Sequence, residues 1–168
     1  MRRASHTLLL LMLAGLFLPG VSCSWRGNIF HKQEDTRPLP KVKNSNYSIN
    51  GKRYRPMGVM EALRYTATGE ASVYEGANTR GALGERLPYG AMYAAHTTLP
   101  LPSVVRITSV SNGRSCEVRV NDRGPFHRRR IIDVSPAVAR KLGFSGVHQV
   151  KVEVLSVGDG ALQRKRED

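Results

Sequence analysis

Val118-Arg119-Val120-Asn121-Asp122-Arg123-Gly124-Pro125-Phe126 is the stretch on which the reading of this chain turns. Successive side chains of a strand alternate, so Val118 and Val120 fall on one face while Arg119 and Asn121 fall on the other. Gly124-Pro125 then ends the strand, because glycine permits turn dihedrals and proline has no N–H to give a ladder. Asp122 is thereby fixed at the mouth of a sheet, between an amide and a guanidinium. A carboxylate in that position is suited to acid–base chemistry.

Working outward, short strand patterns at 70–74, 104–110, 116–120, 130–134 and 150–155 are separated by turn signals, of which Asn112-Gly113 is a strong hairpin marker. One short helix is delimited by Ser135 as N-cap, Pro136 at the first helical position, a helix-compatible run 137–142 and Gly143 as the stop. Several short strands with a single helix predict a mainly-β fold, a small barrel or sandwich. Cys116 lies inside a strand pattern, where a thiol behaves as a small buried hydrophobe.

The N-terminus points to export. Arg2 and Arg3 precede an apolar run 8–18 that has the length of a signal-peptide core and is too short to span a bilayer. Pro19-Gly20 breaks the run, and Gly20-Val21-Ser22-Cys23 resembles a bacterial lipobox, with Gly20 where leucine is usual. Residues 1–22 are accordingly expected to be a lipoprotein-type signal peptide and Cys23 the lipidated residue; plain secretion is the alternative. Ser24, not aspartate, follows, which in a Gram-negative host favours the outer membrane facing the periplasm. Residues 23–64 are expected to form an extended tether and approach segment, polar and without sustained periodicity from Ser24 to about Pro56. Residues 65–157 hold the barrel pattern, and 158–168 form a charged tail.

The formal charge of +13 would suggest nucleic acid in the cytoplasm. In an exported protein it points instead to envelope polyanions: lipid head groups, wall or lipopolysaccharide phosphates and peptidoglycan carboxylates. Nucleic acid is not an expected partner.

Further segments join the opening motif: Gly69-Glu70-Ala71-Ser72-Val73-Tyr74, Gly84-Glu85, Ala94-Ala95-His96-Thr97-Thr98-Leu99-Pro100, Asn112-Gly113-Arg114 and Arg130-Ile131-Ile132-Asp133-Val134-Ser135. In this order they resemble the rare lipoprotein A family, the RlpA-like lytic transglycosylases. The resemblance implies a small double-psi β-barrel with one or two short helices, preceded by an extended N-terminal tether. It also implies cleavage of the β-1,4 bond between N-acetylmuramic acid and N-acetylglucosamine, on strands stripped of stem peptides, with 1,6-anhydro-muramyl ends as product. The chain departs from the family at Val73, where tryptophan is usual, at Glu75, where glycine is usual, and at Gly81-Ala82-Leu83, which replaces Thr-Ala-Asn. Many relatives carry a further septum-targeting SPOR domain; the chain ends soon after the barrel pattern, so recruitment by that route is not expected.

Glycosidic cleavage needs a proton on the leaving oxygen, and a hydrolase normally adds a second carboxylate. A lytic transglycosylase uses the sugar's own C6 hydroxyl, so one carboxyl suffices as acid and then base. By the resemblance Asp122 has that role, which requires a raised pKa and requires Arg119 and Arg123 to point elsewhere. Glu85 is the second carboxylate, raising Asp122 or steadying positive charge at the anomeric carbon, unless it is a solvated loop residue. His96 completes the catalytic set by orienting a carboxylate or bonding sugar, unless it is a satisfied structural histidine. Asn121, Arg123, Tyr74 and Tyr89 are expected to bind substrate; Tyr74, Tyr89 and Tyr93 stack on sugar faces or pack in the core.

Asp133 reads as structural, holding backbone near Ser135. The run His127-Arg128-Arg129-Arg130 is a solvated loop or meets muramic carboxylates. No close ligand spacing accompanies these groups, so neither metal nor cofactor is expected. The expected partners are peptidoglycan strands and a membrane, through the lipid anchor, and the protein is expected to be a monomer. A non-catalytic, expansin-like peptidoglycan-binding lipoprotein on the same barrel is the alternative function. A basic lipoprotein bridging membrane and wall by charge is a third.

Overall fold

The computed structural model describes residues 42–74, 79–158 and 162–163. The signal peptide, Cys23, residues 23–41 of the tether, Glu75 and most of the charged tail lie outside the described residues. The elements are β1 (Tyr47–Ile49), β2 (Lys52–Tyr54), α1 (Val59–Ala62), β3 (Thr66–Val73), β4 (Thr79–Arg80), β5 (Arg86–Leu87) and β6 (Tyr93–Ala95). They continue with β7 (Ser103–Ser109), β8 (Ser115–Asp122), β9 (Arg130–Val134), α2 (Pro136–Leu142), β10 (Val147–Val157) and β11 (Leu162–Gln163).

Six strands close a barrel in the order β10-β3-β9-β6-β8-β7, with β7 returning to β10. The β3–β9 and β6–β8 pairs are parallel; the other four contacts are antiparallel. Exchanging β3 with β8, β6 with β9 and β7 with β10 reproduces this order and every strand sense. A three-stranded unit is therefore used twice, in the arrangement of a double-psi barrel. Closure leaves the barrel strands without free edges.

Alternation fills the interior. Cys116, Val118 and Val120 of β8 are buried between exposed Ser115, Glu117 and Arg119, and Val105, Ile107, Ile132, Val134, Val150, Val152 and Val154 meet them inside. Burial pushes the Cys116 thiol up, as suits an unreactive core residue. Helix α2 packs Val138, Ala139 and Leu142 onto this core. Its ends match the sequence signals: Ser135 Oγ accepts the Val138 N–H at 3.4 Å, and Gly143 stands in the left-handed region at φ 79°.

The strands extend beyond their sequence signals, β8 running on to Asp122 and β10 covering 147–157. Ladder hydrogen bonds supplied by neighbouring strands prolong them past the apolar pattern. From Val42 onward the approach segment also differs from an extended tether. Its Asn50-Gly51 turn has positive φ at both residues, 49° and 75°, the geometry that closes a two-residue hairpin, and it joins β1 to β2. Helix α1 then buries Val59 and Ala62 in the core. Val42, Met57 and Leu63 pack against the same core, and backbone bonds from Lys43 to Leu101 and from Met57 to Thr98 help dock the segment.

His96 follows β6 and is 3 % exposed. Its Nδ1 accepts the N–H groups of Thr98 at 3.1 Å and Leu99 at 3.0 Å. The proton therefore sits on Nε2, which donates to the Tyr65 hydroxyl at 3.1 Å. Burial above all, with the Arg123 charge second, holds the ring neutral and lowers its pKa to about 3.

Gly143→Ala is expected to cost about 1–2 kcal/mol, since an L side chain is disfavoured at that φ, and to lower Tm by roughly 3–8 °C; a thermal melt checks this. For His96, the unfolded ring binds a proton below its ordinary 6.5 while the folded ring refuses one down to about 3. Its stabilisation is complete above pH 6.5 and is lost as pH falls through that window. The stability gap between wild type and His96→Asn is thus expected to narrow by about 1.4 kcal/mol per pH unit below pH 6, read from denaturant titrations between pH 7 and 4.

Candidate active site

Asp122 owes its orientation to one extra residue. On β6, Ala94 and Ala95 are adjacent, but their partners on β8 are Val120 and Asp122, leaving Asn121 as a bulge. Strict alternation would send Asp122 inward with Val118 and Val120; a bulge re-aims the side chain that follows it. Val120, Asn121 and Asp122 are consequently all buried in succession. Asn121 thus leaves the outward face on which alternation placed it.

The Asp122 carboxylate meets the loop between β4 and β5. Its Oδ1 accepts the Ala82 N–H at 3.0 Å and its own neighbour's N–H, that of Arg123, at 2.8 Å. Tyr74 donates a side-chain hydrogen bond, and Glu85 contributes a repelling charge. Burial raises the pKa and outweighs the lowering by these three hydrogen bonds, with Glu85 adding to the rise. The carboxyl is 9 % exposed, sheltered yet open to an approaching group.

The loop is shaped for this contact. The Gly81 N–H bonds the Glu85 carbonyl at 2.9 Å, Gly84 turns at φ 89°, and Arg80 reaches the Gly84 carbonyl at 2.9 Å. A Cβ on Gly81 would lie 3.1 Å from the Asn121 carbonyl oxygen. Glycine at 81 therefore lets the loop lie directly on the bulge, and Ala82 serves the site through its backbone.

Arg123 does not face the cleft. Its Nη1 donates to the Leu99 carbonyl at 2.5 Å and reaches those of His96 and Thr97 at 3.4 Å, while Nη2 donates to the Lys43 carbonyl at 2.9 Å. The guanidinium also lies 5.2 Å from the Tyr47 ring centre. This corrects the expectation of a substrate-binding arginine: the side chain is consumed by backbone carbonyls. Arg119 is exposed on the outer face of β8.

The other expected site residues divide. Tyr74, Asn121 and Glu85 gather around Asp122. His96 touches it only through the backbone, its N–H bonding the Asp122 carbonyl at 3.1 Å, and both ring nitrogens are occupied elsewhere; it positions the end of β8. Tyr89 is exposed on the loop between β5 and β6 and takes no part in the contacts around Asp122. Tyr93 joins the site instead: buried, edge-on to Tyr74 at 6.0 Å, with its pKa raised by burial and by the nearby Tyr74 and Asp122. In the sequence it is one of three tyrosines expected to stack on sugar faces or pack in the core. Asp133, expected to hold backbone near Ser135, instead engages side chains, accepting a short hydrogen bond from Ser72 and facing Arg130 at 3.9 Å.

Three buried atoms of this cluster lack a hydrogen-bond partner: Glu85 Oε2, Asn121 Oδ1 and the Tyr93 hydroxyl. Unpaired buried polar groups are costly and rare. Three such atoms accompany one raised carboxyl.

Residues 66–154 match the family described as lytic transglycolase. A Neisseria meningitidis protein named endolytic peptidoglycan transglycosylase RlpA is 48 % identical over 131 residues, 74 % of this chain and 53 % of that protein. Its namesake from Pseudomonas aeruginosa is 46 % identical over 140 residues, 79 % of this chain and 40 % of that protein. The chain thus spans about half the length, or less, of these curated relatives. Among solved structures, a Streptomyces papain inhibitor is similar with a TM-score of 0.46 and 24 % identity, over 55 % of this chain and 96 % of that one. Barrel topology, motif order and the matched span together place this chain in the lytic transglycolase family.

Proposed function

We propose that the chain is a peptidoglycan lytic transglycosylase that cleaves the β-1,4 bond between N-acetylmuramic acid and N-acetylglucosamine on peptide-stripped strands. The observation that carries this reading is Asp122: a largely buried carboxyl with a raised pKa, its neighbouring guanidinium tied to carbonyls.

In the proposed reaction the protonated Asp122 gives its proton to the glycosidic oxygen, and the bond from that oxygen to the muramyl C1 breaks. The muramyl C6 hydroxyl then attacks C1, and its proton passes to the Asp122 carboxylate. Acid is regenerated, no water is consumed, and a 1,6-anhydro ring closes. Glu85 favours the protonated form of Asp122 and, as a negative charge near C1, stabilises the cationic transition state. Asn121, Tyr74 and Tyr93 supply polar contacts to the sugar. The protein is proposed to act as a monomer in the cell envelope, lipid-anchored through Cys23 at the outer membrane.

Purified full-length protein incubated with intact and amidase-stripped peptidoglycan is expected to release 1,6-anhydro-muramyl products, detected by mass spectrometry. Asp122→Asn is expected to lower the rate at least 100-fold without lowering Tm, since it removes a desolvated charge and keeps an acceptor for the Ala82 N–H. Absence of product from wild type, with both proteins still pelleting with stripped glycan, would make the barrel a binding module. The acid must be protonated, so activity falls as pH rises through the Asp122 pKa. Glu85→Gln removes a raising influence and is expected to move that basic limb of kcat/KM to lower pH; an unmoved limb would exclude the assigned role of Glu85.

A further inference from the structure

Beside the Asp122 cleft lies a groove of about 170 Å³ that the reaction above does not use. The β1–β2 hairpin contributes Lys52 and Tyr54, and the loop entering β9 contributes Phe126, His127, Arg128 and Arg130. Tyr54 stacks on Tyr47 at 5.1 Å and meets Phe126 at 5.4 Å, while the Lys52 ammonium lies 5.2 Å from the Tyr54 ring centre. No acidic side chain lines the groove among the described residues. Arg130 is already matched by Asp133 at 3.9 Å. Lys52 and Arg128 are exposed and have no carboxylate partner among the described residues.

Groove and candidate site are linked through β6, because Arg130 of the groove faces Asp133 at 3.9 Å. Ala95 is paired in register with Asp122 on one side and with Asp133 on the other. Asp122 and Asp133 thus stand two strand spacings apart, about 10 Å. A Cβ on Gly124 would lie 3.7 Å from Asp133 Oδ2, 3.8 Å from the Ala95 Cβ and 3.9 Å from the Phe126 ring. The buried Gly124, at φ 137°, joins the strand that bears Asp122 to Pro125, where the groove begins.

A sugar carrying one carboxylate close to its ring suits such a surface: the exposed Phe126 offers a face for the ring, and Lys52 and Arg128 offer charge for the carboxylate. In intact peptidoglycan the muramyl lactyl carboxyl is tied up in the amide to the stem peptide; stripping the peptide frees it. We propose that this groove is a subsite for the free lactyl carboxylate of a peptide-stripped muramyl residue, on the same strand that presents its glycosidic bond to Asp122. The proposal rests on the glycan-cleaving reading of Asp122. It makes Lys52 and Arg128 the determinants of preference for stripped strands.

The test measures binding in the Asp122→Asn protein, full length, to amidase-stripped glycan strands and to a chito-oligosaccharide of equal length, which has the β-1,4 backbone without the lactyl group. Stripped strands are expected to bind more tightly. Adding K52Q and R128Q is expected to weaken stripped-strand binding about tenfold and flatten its salt dependence, leaving chito-oligosaccharide binding and Tm unchanged. Equal loss on both ligands, or loss on neither, would overturn the subsite. So would a double substitution that abolishes binding to phosphatidylglycerol vesicles while sparing the glycan, since the groove would then serve a lipid surface. If the Asp122→Asn protein binds neither glycan and wild type releases no product, the reading of Asp122 itself fails. Cleavage that persists with no response to K52Q and R128Q removes the subsite alone.

Discussion

The site depends on the three residues of β6, wedged between a parallel neighbour, β8, and an antiparallel one, β9. Ala94 and Ala95 are almost wholly buried, and their small side chains let Val120, Val134 and two aspartates crowd around them. A larger residue at 95 would compete with Asp133 and Phe126 for the space beside Gly124. The skipped register opposite these alanines produces the Asn121 bulge, and the bulge delivers Asp122 to the loop carrying Ala82 and Glu85. Fold and chemistry meet in that single irregular pairing.

Asp122 is held by a balance of opposed influences. Burial and Glu85 favour the neutral acid, while the Ala82 and Arg123 amides and the Tyr74 hydroxyl favour the anion. A proton donor that must become a base within one turnover benefits from support for both states. The same arrangement costs stability at neutral pH, because a desolvated charge and several unpaired polar atoms remain beside it. The valine-rich barrel offsets that cost by burying apolar surface on both β-sheet halves.

Arg123 shows how a motif residue can be read too directly. Next to the reactive carboxyl in sequence, it looks like a substrate contact. Its guanidinium instead gathers the carbonyls of Leu99 and Lys43 and covers the Tyr47 ring, while the Tyr47 hydroxyl bonds the Thr97 carbonyl at 2.8 Å. The strap ties the approach hairpin to the loop after β6. It brings Lys52 and Tyr54 to the same face as Phe126, turning what reads as a spacer into a wall of the groove.

The sequence by itself determined the elements whose signals are local. Alternation marked β7 and β8, Ser135 and Gly143 delimited α2 through cap chemistry, and the Val118–Phe126 motif pointed to Asp122, because strand period, turn dihedrals and caps depend on a few adjacent residues; Glu85 was singled out by the family resemblance alone. Asn50-Gly51 carried a hairpin signal of the same kind within a stretch whose polarity masked it. Tertiary structure alone decided the rest. The bulge at Asn121 arises from pairing with a strand 26 residues earlier, the entry of Tyr93 into the site from its closeness to Tyr74, and the neutrality of His96 from burial and the Arg123 charge. Each is a contact between segments distant in the chain, and a side chain's direction and charge state are set by such partners rather than by its neighbours in sequence.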